Sequence, residues 1–233
     1  TVLSFMLIIS LAACSSNEPA DSPTPADGKY QDGFYYAQQN QYSKDWQYFV
    51  EIEVKDGKIV AADWNGFNLN GGKDKDTLSA DGEYGLVANG NAQAEWHEQA
   101  EKAEAYLIST QDPTQITYND DEGHTDDIAG VSIHVVEFFD LAEQAFDNGP
   151  VAKGDYKDGI YYAQDKEFAK GFKTAVNIVV YNGSIVGADW NAIAEEEGAP
   201  DKDNYSKSGE YGIVTQGNAQ AEWHEQAAKA EDY

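Results

Sequence analysis

A chain of 233 residues has room for one large or two small domains, and 42 Asp and Glu against 15 Lys and Arg give it a formal net charge of -27. That charge repels phosphate backbones and excludes nucleic acid as a partner. A single cysteine excludes an internal disulfide framework and a four-thiolate metal site, while 15 Tyr and 5 Trp predict aromatic-rich cores.

The chain opens on an apolar run, Thr1 to Ala13. It is shorter than the ~20 residues needed to span a bilayer. It reads as the apolar region of a secretion signal. Leu11-Ala12-Ala13-Cys14 closes it in the pattern of a bacterial lipobox. Small residues there fit a peptidase pocket, and the Cys14 thiol can carry a thioether-linked lipid. A buried free cysteine is the alternative, but it leaves the apolar run and the polar stretch that follows unexplained. Without an initiating Met or a basic leader, the sequence is expected to begin inside the signal peptide. Residues 14–28 contain Ser15, Ser16, Pro19, Ser22, Pro23 and Pro25. Such a composition behaves as a tether and buries no core.

The remainder repeats itself. Tyr30-Gln31-Asp32-Gly33-Phe34-Tyr35-Tyr36-Ala37-Gln38 returns as Tyr156-Lys157-Asp158-Gly159-Ile160-Tyr161-Tyr162-Ala163-Gln164. Ala62-Asp63-Trp64-Asn65 returns as Ala188-Asp189-Trp190-Asn191, and Gly90 to Ala100 returns unchanged as Gly217 to Ala227. A period this long means tandem domains, 29–148 and 153–233, and not a solenoid. The second copy, which stops at the counterpart of Tyr106, has no equivalent of Asp126 to Phe146. It is therefore expected to be an incomplete domain, less well packed than the first.

Each copy has the same predicted layout. Phe34 to Gln38 is a short strand. Tyr48 to Val54 and Lys58 to Trp64 form a hairpin around Asp56-Gly57, repeated by Val176 to Tyr181 and Ser184 to Trp190 around Asn182-Gly183. Asn68 to Gly82 is a polar loop. A helix is predicted from Asn91 to about Leu107, with Trp96, Ala100, Ala103 and Leu107 on one face. A short strand follows at Gln115 to Tyr118. The predicted fold is α+β, an antiparallel sheet with helices on one side in each copy.

Asp126-Asp127-Ile128-Ala129-Gly130-Val131-Ser132 is the stretch best suited to chemistry. It precedes Ile133 to Phe146, where Val135, Phe138, Phe139, Ala142 and Ala145 recur at helical spacing. Gly130 frees the backbone beside a hydroxyl. Ser132 is then expected near a helix N-terminus, where free N–H groups favour a phosphate. Capping that helix is the ordinary job for such a serine, and physics alone favours it.

Other constellations are weaker. His97-Glu98 and His224-Glu225 lack the second histidine of a zinc helix, since Glu101 and Ala228 stand there, so no metal site is expected. Asp120-Asp121-Glu122-Gly123 lacks calcium-loop spacing and reads as a solvated turn. His124 and His134 flank the central stretch and are expected to be exposed. Trp64 and Trp190 suit either core packing or stacking on a planar ligand, with packing the better expectation.

The Asp126-x-x-Ala129-Gly130-Val131-Ser132 stretch resembles the flavin-attachment motif of the FMN-binding domain family. Behind a lipobox, the tandem copies resemble the flavinylated lipoproteins of Gram-positive bacteria that include pheromone precursors. The resemblance covers Gly28 to Asn148 fully and Lys153 to Tyr233 in part. It implies FMN joined to Ser132 as a phosphoester by a separate flavin transferase, with Gly130 letting the backbone approach the phosphate and Asp126 opening the motif. Ala129 and Val131 depart from the usual Ser or Thr and Ala. The implied role is a lipid-anchored electron carrier on the outer face of a Gram-positive cell membrane, not itself an enzyme. It would take electrons from a membrane quinol-linked donor and pass them to extracellular acceptors. The alternatives are a cofactor-free anchored binding or structural module, and a precursor whose signal segment yields a peptide pheromone.

Overall fold

The computed structural model describes residues 28–90 and 92–233. The expected signal segment, Cys14 and nearly all of the tether lie outside the described residues. The fold is α+β, with two three-stranded antiparallel sheets and helices. The first sheet has the order β1 (Gly33–Gln38), β2 (Trp46–Lys55), β3 (Lys58–Asn68). The second has the order β4 (Gly159–Gln164), β5 (Phe172–Tyr181), β6 (Ser184–Ala194).

The sequence repeat carries through to register. Tyr36 pairs with Glu51 as Tyr162 pairs with Asn177, and each long hairpin shifts register at matching places, Glu53/Val54 and Val179/Val180. Both hairpin turns hold two residues at positive φ: Asp56 and Gly57 at 53° and 71°, Asn182 and Gly183 at 52° and 75°. Only that backbone shape matches the twist of the flanking strands, so Asp-Gly and Asn-Gly set the turns.

Seven helices accompany the sheets among the described residues: α1 (Lys75–Ala80), α2 (Leu86–Gly90), α3 (Trp96–Thr110), α4 (Val136–Asn148), α5 (Lys202–Lys207), α6 (Ile213–Gly217) and α7 (Trp223–Glu231). Side chains alternate across the first sheet. Tyr35, Ala37, Val50, Ile52 and Trp64 join one core with Ala100, Ala103 and Leu107 of α3 and Phe138, Phe139 and Ala142 of α4. The opposite face carries Tyr36, Phe49 and Phe67, which pack against Val179, Ile160, Tyr181 and Val186 of the second sheet. The two sheets therefore lie back to back, bridged by bonds from Tyr42 Oη to Asp189 Oδ2 (2.7 Å) and from Tyr162 Oη to the Leu69 carbonyl (3.2 Å). Among the described residues, no helix is long and apolar enough to cross a membrane.

Several elements differ from their predicted bounds. The polar loop Asn68 to Gly82 contains α1, because Asp74 caps it by accepting from Thr77 N at 2.9 Å. The helix predicted from Asn91 begins at Trp96, where Glu95 and Glu98 form a reciprocal capping box, and it runs on to Thr110. Gln115 to Tyr118 is not a strand, since Thr117 spends its backbone groups on side chains: its N–H donates to Asp127 Oδ2 and its carbonyl accepts from Thr125 Oγ1, both at 2.7 Å. The helix predicted from Ile133 begins only at Val136, because Val135 N donates to the Gly123 carbonyl at 2.9 Å and holds the preceding chain out of the helix.

The second sheet is the less covered, as expected. Tyr35 is 3 % exposed and its counterpart Tyr161 is 45 %; Trp64 is 1 % exposed and Trp190 is 38 %. Phe138 of α4 lies tilted against Trp64 at 5.5 Å, whereas Trp190 has Trp223 of α7 at 5.6 Å.

Candidate functional site around Ser132

Ser132 does not lie in the first turn of a helix; it stands in an exposed loop four residues ahead of α4. This corrects the placement that hydrophobic spacing predicts. It also removes helix capping as the serine's job, for the cap position falls on Val135, which makes no side-chain cap bond. The loop is held from the side instead. Gln99 of α3, 1 % exposed, turns its Oε1 toward three donors: Ser132 N at 2.7 Å, Ser132 Oγ at 3.2 Å and Ile133 N at 3.2 Å. Its Nε2 donates to the Ala94 carbonyl at 2.9 Å, so the clamp is itself anchored before the helix start.

Gly130 adopts φ +76°, a backbone shape that favours glycine. A β-carbon built there would meet the tip of Lys102, with Nζ at 2.8 Å. Lys102 Nζ in turn donates to the Gly130 carbonyl at 3.0 Å. A cation thus bonds the backbone of the loop two residues before Ser132, in a chain that is strongly acidic elsewhere. Asp126 is exposed on the surface, while its neighbour Asp127 fastens the loop through Thr117 N. The structure thus brings Gly130 and Ser132 together on α3, with Asp126 at the outer edge.

Both flanking histidines are paired with carboxylates. His124 Nδ1 lies 2.8 Å from Asp120 Oδ2, and His134 Nδ1 lies 2.7 Å from Glu137 Oε2. The Glu137 partner raises the His134 pKa above the usual range against the opposing effect of burial. The two rings stand edge to face at 6.2 Å. His97 and His224 bond to Ser79 and Ser206 as local tethers, and no group of three or more His, Cys, Asp or Glu could hold a metal among the described residues.

The tryptophans take different roles. Trp64 is core, 5.2 Å from Trp96, and its Nε1 has no partner among the described residues. Its backbone N donates to Glu104 Oε1 at 2.9 Å, and burial pushes the Glu104 carboxyl up to about 8. Trp190 keeps the same backbone bond, to Glu231 at 2.8 Å, with its ring partly open.

Three residues of the first half gained no role from the sequence: Gln99, Lys102 and Lys75. Gln99 lies in the block repeated unchanged, and its twin Gln226 keeps the Nε2 bond, to the Ala221 carbonyl at 2.8 Å. That identity was the available signal. Lys75, 2 % exposed, sits among the rings of Tyr48, Tyr84, Trp96 and Trp46, with Nζ 4.5 to 5.2 Å from their centroids. Burial pushes its ammonium down to about 7, against the attraction of the surrounding ring faces for the charged form. Lys202 repeats the arrangement over Trp223 (4.5 Å) and Tyr211 (5.2 Å).

The residues at Ser132 fit a phosphoester: an exposed hydroxyl, a glycine-shaped backbone and a nearby ammonium. No protein-family model matches the chain, and no curated protein matches it. Among solved structures, the chain is similar to a Clostridium thermocellum protein determined by solution NMR, with 56 % identity over 51 % of this chain and 91 % of that one, at a TM-score of 0.41. A crystal structure of a Clostridium perfringens protein shares 24 % identity over 51 % of this chain and 87 % of that one, at a TM-score of 0.40.

Proposed function

We propose that the protein is an anchored flavoprotein carrying FMN on Ser132, built from two copies of an FMN-binding-type domain, 29–148 and 153–233. The observation that supports it most is the loop itself. Ser132 is exposed and held at its backbone by Gln99, in a loop whose Gly130 carbonyl accepts from the Lys102 ammonium. Attachment by a flavin transferase would join Ser132 Oγ to the flavin-side phosphorus of FAD as the pyrophosphate bond breaks. AMP would leave, and the hydroxyl proton would pass to solvent. Bound there, FMN would supply the redox chemistry, and the chain would position it. Gln99 keeps the acceptor loop on α3, Gly130 opens the backbone beside the phosphate, and Lys102 offsets phosphate charge. Lipid attachment at Cys14 would hold the carrier at the outer membrane face between a quinol-linked donor and extracellular acceptors. The covalent link prevents loss of the cofactor by diffusion.

A second reading has its own support. The Ser132 hydroxyl donates to Gln99, so the same loop serves as a structural clip in a cofactor-free anchored module. Co-expression with a flavin transferase separates the two. A flavinylated wild type and an unmodified Ser132→Ala variant support attachment; a flavinylated Ser132→Ala variant excludes Ser132 as the acceptor. A released signal peptide ending at Ala13 would add the pheromone role to either.

A further inference from the structure

Glu51 of β2 and Asp63 of β3 are direct partners across the first sheet and line a gap of about 580 Å³ between the two sheets. Like charges set opposite each other on paired strands repel. Phe49 and Phe67 wall the gap from the first sheet, Tyr162 and Tyr181 from the second. No hydrogen bond favours the ionised form of either carboxyl, and burial pushes Glu51 up to about 8 and Asp63 up to about 6.

The charges around the pair offer no compensation. Asp158, just ahead of β4, brings a third carboxylate from the side of the second sheet. Asp74 and Asp76 at the head of α1 and Glu104 of α3 add repulsion at Asp63, and Glu53 acts with the pair on Tyr181. Lys73 lines the gap, but its Nζ is committed to Asp81 at 2.6 Å and to Glu83 at 2.7 Å. Elsewhere at the same junction Asp189 of β6 accepts from Tyr42 Oη at 2.7 Å. Burial still holds its carboxyl up at about 7, and Glu231, Asp203 and Asp201 repel its charge.

The junction can part without unfolding what it joins. The core beneath α3 and α4 draws on no residue beyond Phe146, whereas the junction has its own small cluster of Tyr36, Phe49, Phe67 and Val179. The connecting segment is pinned on both sides: Val151 N donates to the Phe34 carbonyl at 2.6 Å, and Gly154 N to the Asn182 carbonyl at 2.9 Å. We propose that the junction is a proton-gated hinge, closed while Glu51, Asp63 and Asp189 are protonated and opening about residues 150–154 as they ionise between the sheets. All three carboxyls are raised in the closed form, so closure is favoured most below the ordinary carboxylate range and is lost as pH rises through about 6 to about 8.

The test is hydroxyl-radical footprinting of the full chain, read by mass spectrometry. Phe49 and Phe67 report the junction, at 2 % and 3 % exposed, and Phe138 and Phe139 report the core of the first sheet, at 0 %. From about pH 5 to about pH 8.5, oxidation of Phe49 and Phe67 should rise about tenfold, the effect of one linked proton over one pH unit, with Phe138 and Phe139 unchanged. Glu51→Gln combined with Asp63→Asn should lose most of that rise. Asp121→Asn combined with Glu122→Gln makes the same charge change on a remote exposed loop and should keep it. If the Glu51 and Asp63 double variant fails to fold by circular dichroism, Glu51→Gln alone should reduce the rise. A wild type with no rise, a rise undiminished by the junction substitutions, or Phe138 oxidised in step with Phe49 would each overturn the proposal, the last by showing general unfolding.

Discussion

Gln99 Oε1 accepts from both the backbone N–H and the hydroxyl of Ser132, thirty-three residues further along the chain. One buried amide thus fixes the loop that carries the candidate acceptor. Replacing it by Met leaves Ser132 N and Ile133 N without their partner. Gln99→Met is expected to cost about 2 kcal/mol and lower Tm by about 4–8 °C. Thermal unfolding checks the stability, and hydrogen exchange should show Ser132 and Ile133 amides deprotected more than those of α3. Uniform deprotection would mean that Gln99 supports the core at large.

The Lys75 ammonium is enclosed by four aromatic rings. Lys75→Ala leaves a cavity among those rings and should destabilise by about 3 kcal/mol. Lys75→Met keeps the stem and should stay within ~1.5 kcal/mol of wild type. Denaturant titration of the two variants separates packing from charge.

Glu51 and Asp63 stand directly opposite each other on β2 and β3, on the face turned to the second sheet. Burial pushes their carboxyls up to about 8 and about 6, with mutual repulsion adding to the effect on Glu51. The folded state therefore holds protons that the unfolded chain releases. Stability from this pair is full below the ordinary carboxylate range, near pH ~4, and is lost as pH rises to about 8. Glu51→Gln should raise Tm at pH 8 by about 3–6 °C, roughly 1–2 kcal/mol, and leave it unchanged near pH ~4. Equal effects at both pH values would contradict a protonated Glu51.

The repeat supplies an internal control in its tryptophans. Trp64 is enclosed by Trp96 and Phe138, so Trp64→Ala should cost about 3–5 kcal/mol. Trp190 keeps a partly open ring, and Trp190→Ala should cost less than half as much. Parallel urea titrations compare them.

Local chemistry made much of this molecule legible. Asp56-Gly57 and Asn182-Gly183 demand their turns, and the alternation around them names the strands. Helix starts were less legible, because bonds from outside the helix help to set them: Glu95 also holds Leu86 N, and Val135 is held by Gly123. The motif loop was found by resemblance and spacing, but its support was not. Gln99 and Lys102 reach it only once α3 is folded beside it, and no short-range pattern encodes that approach. The back-to-back sheets were likewise hidden. The faces that meet carry Glu51, Asp63 and Asp189, charged residues that no local pattern marks as buried.

Ser132 as a flavin acceptor is tested most directly by mass spectrometry of the peptide that holds it, from chain co-expressed with a flavin transferase. A mass gain equal to FMN less one water, absent from Ser132→Ala and retained in Ser132→Thr, is the predicted result. An unmodified wild-type peptide, beside a control acceptor that the same transferase modifies, would contradict it.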